Sequence, residues 1–402
     1  MNKKVLIIGG GVAGLQASIE LAELGFEVYL VEKKPYLGGN ALNLYEYFPT
    51  KDCSFCLASP QFLKGIRKCF YRLSLSEIKN LDILTNTSLA EVKGEKGNFL
   101  VRLIKHPRYI DINKCTLCKA CIEVCKSGAI YFDYRTLPQV CTIDINKCSH
   151  CKACVEVCKQ GAINLEQSEE EVELNVGAII VATGFEEWKP YEIKQYGYGV
   201  YKNVITQSEL AEILYKDKDI EKLKDIEKVV FILCVGSRDS YHEYCSKICC
   251  TYAIKHARAL KKLGKEVIIC YMDIRTVGEY EEWYLRAREE GVEFLRGKPG
   301  EVIQREDKKL LVSVEDTLCN EVKLIECDLV VLTPALIPSK GTEEIAKLLG
   351  LNKDEYGFII TENGGKARAG VYVCGCASGI KDVPESITQA SQVAINVMED
   401  LR

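Results

Sequence analysis

The sequence has only four histidines among 402 residues, so chemistry built on imidazole acids and bases has little to work with. It contains no apolar run approaching the roughly 20 residues needed to cross a bilayer. It lacks an excess of either charge. The 53 basic and 57 acidic residues leave a net charge of −4, which offers no nucleic-acid surface. A secretory leader is also missing: glycines break the apolar stretch of MNKKVLIIGGGVAGL and no cleavage site follows. At 47% hydrophobic and 27% charged residues, the chain reads as a globular protein with room for two or three domains. The expected location is the cytoplasm, with any membrane contact made through partners. What the chain has in excess is cysteine, 21 in all. In the cytosol, clustered cysteines bind metal or do redox chemistry more often than they form structural disulfides.

The N-terminus reads KKVLIIGGGVAGLQASIELAELGFEVYLVEK. Val5 to Ile8 is a β-branched apolar run, as in a buried parallel strand. Gly9, Gly11 and Gly14 supply a G-x-G-x-x-G turn: one glycine for the turn, one for pyrophosphate approach, one for helix–strand packing. A helix over Val12–Leu24 would aim its N–H groups at phosphates, and Gly25 would end it. Glu32 closes the next strand, where an acid binds ribose hydroxyls and speaks against a 2′-phosphate. Lys33 and Gly39 join the same candidate site. The choice between FAD and NAD falls to FAD through two later stretches. VGAIIVATGF carries Ala182, Thr183 and Gly184, and AGVYVCGCASGIKDVPESITQAS carries Gly375. Both resemble flavin-contacting elements of two-dinucleotide flavoprotein reductases. Those reductases place an acid after the last glycine. Here that residue is Cys376, and Asp382 is the nearest candidate acid.

Between these elements, CTLCKACIEVC and CSHCKACVEVC repeat the spacing C-x2-C-x2-C-x3-C, each after Asp-Ile-Asn-Lys. This is a two-cluster ferredoxin module, in which the fourth cysteine of each run reaches the other cluster. Cys115, Cys118, Cys121 and Cys158 would hold one [4Fe–4S] cluster. Cys148, Cys151, Cys154 and Cys125 would hold the second. Lys126 and Lys159 stand where a proline is usual.

Further on, KVVFILCVGSRD opens a second α/β unit. Its helix is expected over about Ser246–Leu263. The turn after its first strand, Cys-Val-Gly-Ser-Arg, lacks the glycines a pyrophosphate needs, so nicotinamide binding is disfavoured. Cys234, Cys245, Cys249 and Cys250 are instead candidates for a third cluster. Spacing puts Cys245 and Cys249 one helical turn apart. Buried but unmetallated cysteines are the competing reading.

The segments CVGSRD, YCSKICC, YMDIRTVGEYEEWYLRAREEGVEFLRG and GCASGIKDVPESITQAS resemble the A subunit of heterodisulfide reductase. That family includes the A subunit of the quinone-interacting oxidoreductase of sulfate reducers. The likeness covers nearly the whole chain, which looks like a short form of the family. It implies an α/β, thioredoxin-reductase-like, two-dinucleotide-domain flavoprotein fold with an inserted α+β two-cluster ferredoxin domain. It also implies a [4Fe–4S] cluster on Cys234, Cys245, Cys249 and Cys250. The expected divisions are residues 1–105, 169–225 and 328–402 for the FAD domain, 106–168 for the ferredoxin insert, and 226–327 for the second unit. The implied partners are other subunits of a heterodisulfide-reductase-like or quinone-interacting complex, in a homo- or hetero-oligomer. The resemblance also brings flavin-based electron bifurcation or confurcation, for which no sequence motif exists.

Cys53 and Cys56 form a C-x-x-C pair shortly after the first βαβ unit. They are a redox dithiol beside the flavin, two ligands of a fourth cluster, or inert. Cys69, Cys141, Cys270, Cys319 and Cys327 read as small apolar residues. Two rival functions stand beside an electron-transfer subunit. One is a pyridine-nucleotide-dependent disulfide reductase using Cys53 and Cys56. The other is a relay or scaffold subunit with structural FAD.

Overall fold

The computed structural model describes residues 2–45, 78–133, 138–215 and 220–402. Cys53, Cys56 and Cys69 lie outside the described residues. Among these residues no helix is long and apolar enough to cross a membrane.

The first unit is built on a parallel sheet. Its strands are β1 (Lys4–Ile8), β2 (Glu27–Glu32), β3 (Leu81–Thr85), β9 (Ala178–Val181) and β21 (Val371–Val373), with β20 (Lys366–Arg368) antiparallel at the edge. The order is β20-β21-β9-β1-β2-β3. The central strands are buried on both faces, which is why β1 and β9 read as unbroken apolar runs. Helices Val12–Glu23 and Val383–Asp400 pack on one face around Val5, Ile7, Leu30 and Ile180. The first stops at Gly25, whose φ of +84° only glycine adopts without strain. The last starts at a capping box, with Asp382 and Glu385 each accepting from the other's backbone N–H. The opposite face is covered by an antiparallel sheet of β4 (Thr87–Glu95), β5 (Asn98–Lys105) and β8 (Glu170–Val176).

The ferredoxin-like insert leaves this sheet after β5 and returns at β8. It contains a hairpin of β6 (Ile130–Tyr131) and β7 (Thr142–Ile143), and two short helices, Ala120–Val124 and Ala153–Val157. An Ile110–Ile163 bridge closes its base. Its small core combines Ile110, Ile130, Ile143 and Ile163 with cysteines.

The second unit has five parallel strands in the order β11 (Val204–Thr206), β18 (Leu329–Pro334), β12 (Lys228–Val235), β13 (Glu266–Tyr271) and β14 (Glu293–Arg296). Helices Gln207–Tyr215, Cys249–Lys262 and Tyr280–Glu289 cover one face. An antiparallel sheet of β15 (Glu301–Gln304), β16 (Leu310–Asp316) and β17 (Glu321–Cys327) covers the other. A ribbon of β10 (Phe185–Glu187) and β19 (Leu336–Pro338) joins the units.

Two sequence expectations are corrected here. The divisions at 225 and 328 cut through the second sheet, because β11 and β18 pair within it. An apolar run such as LVVLTP does not say which of two parallel sheets it enters. The helix expected from Ser246 begins at Cys249. Lys247 has φ +59°, which a right-handed helix cannot contain, so Cys245 precedes the helix. The one-turn relation drawn between Cys245 and Cys249 is therefore lost.

Phe99 on β5 ties the antiparallel cover to the parallel sheet; it is fully buried with Leu6, Ile179 and Val181. Replacing it by alanine leaves a cavity. Phe99→Ala should lower unfolding stability by about 3–5 kcal/mol, read as a lower urea midpoint at unchanged slope. A midpoint equal to wild type would show that β5 does not anchor this face.

Candidate functional site

A cavity of 1110 Å³ opens at the carboxyl ends of the first sheet, the place where open α/β sheets bind ligands. It exceeds the roughly 300–1,000 Å³ of ordinary small-molecule pockets, as an extended dinucleotide requires. Gly9, Gly11, Glu32, Lys33 and Gly39 line it from the first βαβ unit. Ala182, Thr183 and Gly184 line it from the loop after β9, and Gly375, Cys376 and Asp382 from the loop after β21. Gly14 does not line it; a Cβ there would lie 1.9 Å from the Gly9 carbonyl oxygen, so this glycine lets the helix close on the strand. At Gly11 the nearest atom to such a Cβ is 3.9 Å away, which leaves room for a phosphate. Glu32 accepts from the Gly10 N–H at 2.7 Å and the Lys34 N–H at 2.7 Å, which fixes its carboxylate at the cavity wall. Each oxygen keeps a lone pair for a ribose hydroxyl. The Asp382 carboxylate is committed to the Glu385 N–H at 2.8 Å. The chemistry of this lining fits FAD.

The far wall is made by residues that the sequence patterns above do not single out. Ile248, Thr251, Tyr252 and Lys255 form one stripe of the helix Cys249–Lys262 and its start, and all four line the cavity. Their spacing in KICCTYAIK is the signal that could find them. The buried Lys255 ammonium donates to the Leu44 carbonyl and lies 4.4 Å over the Tyr252 ring. Lys381 also lines the cavity. Its ammonium donates to the Gly379 carbonyl at 3.1 Å, and burial lowers its pKa.

The opposite face of the same helix start carries cysteines. Cys234, Cys249 and Cys250 are buried together in the core of the second unit, and Cys245 is half-buried beside them. Cys249 lies within electrostatic reach of Cys234, Cys245 and Cys250. Burial pushes Cys234 up to about 11, while a hydrogen bond from Cys249 brings Cys250 down to about 7. Cys234 has φ +57°, and the β12–β18 register slips around it, so the strand bulges where its thiol is presented.

The loop at Cys245 repeats a local device of the ferredoxin insert. Lys247, two residues after Cys245, is left-handed, and its N–H donates to Cys245 Sγ at 3.2 Å. In the insert, His150 follows Cys148 by two, has φ +53°, and donates its N–H to Cys148 Sγ at 3.4 Å. Leu117 has φ +57° at the matching place after Cys115. This turn aims a backbone donor at a cysteine sulfur.

Within the insert, a cavity of 270 Å³ is lined by Cys115, Cys118, Cys121 and Cys158, with Cys141 as a fifth thiol. Its thiols are drawn from both halves of the repeat. Cys154 lies within electrostatic reach of Cys148 and Cys151, and Cys125 sits at the end of the helix Ala120–Val124. Among the described residues, no three His, Cys, Asp or Glu side chains are set to hold a single metal ion. Thiols are the ligand type that iron–sulfur clusters take.

Gly236, in the turn after β12, is covered by an aromatic side chain. A Cβ on Gly236 would lie 2.2 Å from Trp188 Cζ3, so the indole covers that glycine. Tyr241 and His242 pack on the indole at 5.2 and 5.5 Å. His242 donates Nδ1–H to the Gly236 carbonyl at 2.6 Å, a packing role.

The pyridine nucleotide-disulphide oxidoreductase family model matches residues 3–394, and the chain belongs to that family of oxidoreductases. The chain is 40% identical to the A subunit of the H2:CoB-CoM heterodisulfide,ferredoxin reductase of Methanothermobacter marburgensis, over 98% of this chain and 63% of that protein. It is also 40% identical to the iron-sulfur A subunit of the CoB–CoM heterodisulfide reductase of Methanocaldococcus jannaschii, over 98% of this chain and 64% of that one. The chain thus spans less than two thirds of the length of these relatives. Among solved structures, T. acidophilum thioredoxin reductase matches with a TM-score of 0.55 at 16% identity, covering 99% of both chains. Lactococcus lactis thioredoxin reductase matches at 0.54 and 17% identity, covering 99% of this chain and 98% of that one. The fold is therefore the thioredoxin-reductase-like flavoprotein fold.

Because Trp188 covers Gly236, NADH should not reduce the bound flavin at catalytic rates. Anaerobic stopped-flow mixing tests this. Flavin bleaching within milliseconds of mixing would overturn the reading of this loop.

Proposed function

We propose that the chain is an FAD and iron–sulfur electron-transfer subunit of a heterodisulfide-reductase-like complex. The observation that carries this reading is the Cys245–Lys247 turn. It reproduces the cysteine turn of the ferredoxin-like insert on the segment that walls the flavin cavity. Similarity to the A subunits of heterodisulfide reductases over 98% of the chain supports the same assignment.

Bound FAD exchanges electrons in pairs or singly, and iron–sulfur clusters exchange them singly. The protein's part is to place and tune these groups. Gly9, Gly11 and the N-terminus of helix Val12–Glu23 receive the pyrophosphate, and Glu32 receives the ribose. Lys255 and Lys381 put positive charge on the cavity wall, which favours a reduced and anionic flavin. Cys234, Cys245, Cys249 and Cys250 would hold a cluster behind that wall. Cys115, Cys118, Cys121 and Cys158 would hold a second cluster, and Cys148, Cys151, Cys154 and Cys125 a third, each supplying one-electron transfer. Trp188 and the loop around it exclude a nicotinamide from the position the first of these clusters serves. The same occlusion argues against the pyridine-nucleotide-dependent disulfide reductase. Electron bifurcation, and the quinone- or heterodisulfide-linked partners, belong to this proposal at the level of the whole complex.

Anaerobically prepared protein should hold one FAD and about twelve irons, counting four per cubane, or about sixteen if Cys53 and Cys56 help complete another cluster. A Cys249→Ser, Cys250→Ser double variant should lose about four irons and keep its FAD and ferredoxin-type signals. Unchanged iron in a folded double variant would mean these cysteines are not ligands.

A further inference from the structure

Arg238 stands four residues after Cys234, on the loop that returns to Cys245. Its backbone is left-handed at φ +58°, and its N–H donates to the Tyr244 carbonyl at 3.1 Å. One arm of the guanidinium, Nη2, donates to the Asp273 carboxylate at 2.7 Å. The Asp273 carbonyl in turn faces Cys250 Sγ at 3.8 Å. The residue is thereby fixed to the surroundings of Cys234, Cys245 and Cys250 at once. Its charge lies within electrostatic reach of all three thiols.

The other arm has no partner. Nη1 is buried and makes no hydrogen bond among the described residues. Leaving a donor of a charged group buried and unbonded is costly, so such a donor ordinarily meets an ordered water or a ligand. Cys234, Cys245 and Cys250 are the thiols within electrostatic reach of the guanidinium. An iron–sulfur cluster held there would present its sulfurs to this wall.

We infer that Arg238 Nη1–H donates a hydrogen bond to a sulfur of the cluster held by Cys234, Cys245, Cys249 and Cys250, and sets that cluster's potential. This rests on the cluster assignment proposed above. Reduction adds one negative charge to the cluster. A donor and a fixed positive charge at its edge stabilise the reduced form and raise the potential. Asp273 holds the guanidinium in place, so Arg238 is a positioned tuning residue rather than a ligand. Arginine suits the task because its rigid fork serves two acceptors at once, which the ammonium of lysine does less well.

The test is a redox titration of the anaerobic holoprotein, followed by electron paramagnetic resonance, with iron counted in each sample. In Arg238→Gln the midpoint of this cluster should fall by the equivalent of about tenfold in its reduced-to-oxidised ratio, about 59 mV for one electron. The two ferredoxin-type midpoints should stay in place. Arg238→Lys keeps the charge but not the fork, so its midpoint should fall by a smaller amount. Variants that keep wild-type iron with this midpoint unmoved would overturn the inference. Loss of about four irons from both variants would also overturn it, because a tuning residue is dispensable for holding a cubane. Wild-type protein with only about eight irons would overturn the cluster assignment itself.

Discussion

Three buried cysteines with a half-buried fourth beside them are an electrostatic liability unless something positive lies among them. Burial disfavours each thiolate, and each thiolate disfavours its neighbours. The region around Cys234 answers with a bulged strand, a left-handed turn whose N–H faces Cys245, and the Arg238 guanidinium on the same loop. Iron would supply the remaining positive charge. The rest of the second unit can be understood from this constraint. It keeps the parallel sheet of a dinucleotide domain, and the loop after its strand β12 carries thiols.

The same constraint links the second unit to the first. The segment from Lys247 to Lys255 has two faces. Cys249 and Cys250 turn into the core of the second unit, and Ile248, Thr251, Tyr252 and Lys255 turn into the flavin cavity. Lys247 also pairs with Glu385 at the start of the last helix of the first unit. One helix start therefore borders both the large cavity and the cysteine group, so their separation depends on a single element. The ferredoxin-like insert grows from the antiparallel cover of the first sheet, between β5 and β8. Arg108 at its base donates to Thr85 at the edge of the flavin-side sheet.

Much of this is legible in the sequence where the signal is local. The Gly9–Gly11–Gly14 turn, Glu32 at a strand end and the doubled cysteine runs each lie within a short window; Gly9, Gly11 and Glu32 line the large cavity, and Cys115, Cys118, Cys121 and Cys158 line one cavity of the insert. Strands β11 and β18 belong to a different unit from the one expected, because sheet membership is a long-range choice. Cys245 falls outside the helix its spacing suggests, because a lysine carries no sign that its backbone will be left-handed. Trp188 over Gly236 is invisible for a related reason: the two residues are far apart in the chain and meet only in the fold. Arg238 looks like an ordinary polar loop residue until the surroundings of its two arms are compared.

The central claim is that iron occupies the Cys234 site beside the flavin cavity. Diffraction from anaerobically grown crystals, with anomalous scattering recorded on both sides of the iron absorption edge, tests it most directly. The account predicts an iron peak enclosed by Cys234, Cys245, Cys249 and Cys250, behind the wall formed by Ile248 and Thr251. Flavin density in the cavity and iron in the ferredoxin-like insert, with no iron among these four cysteines, would contradict it.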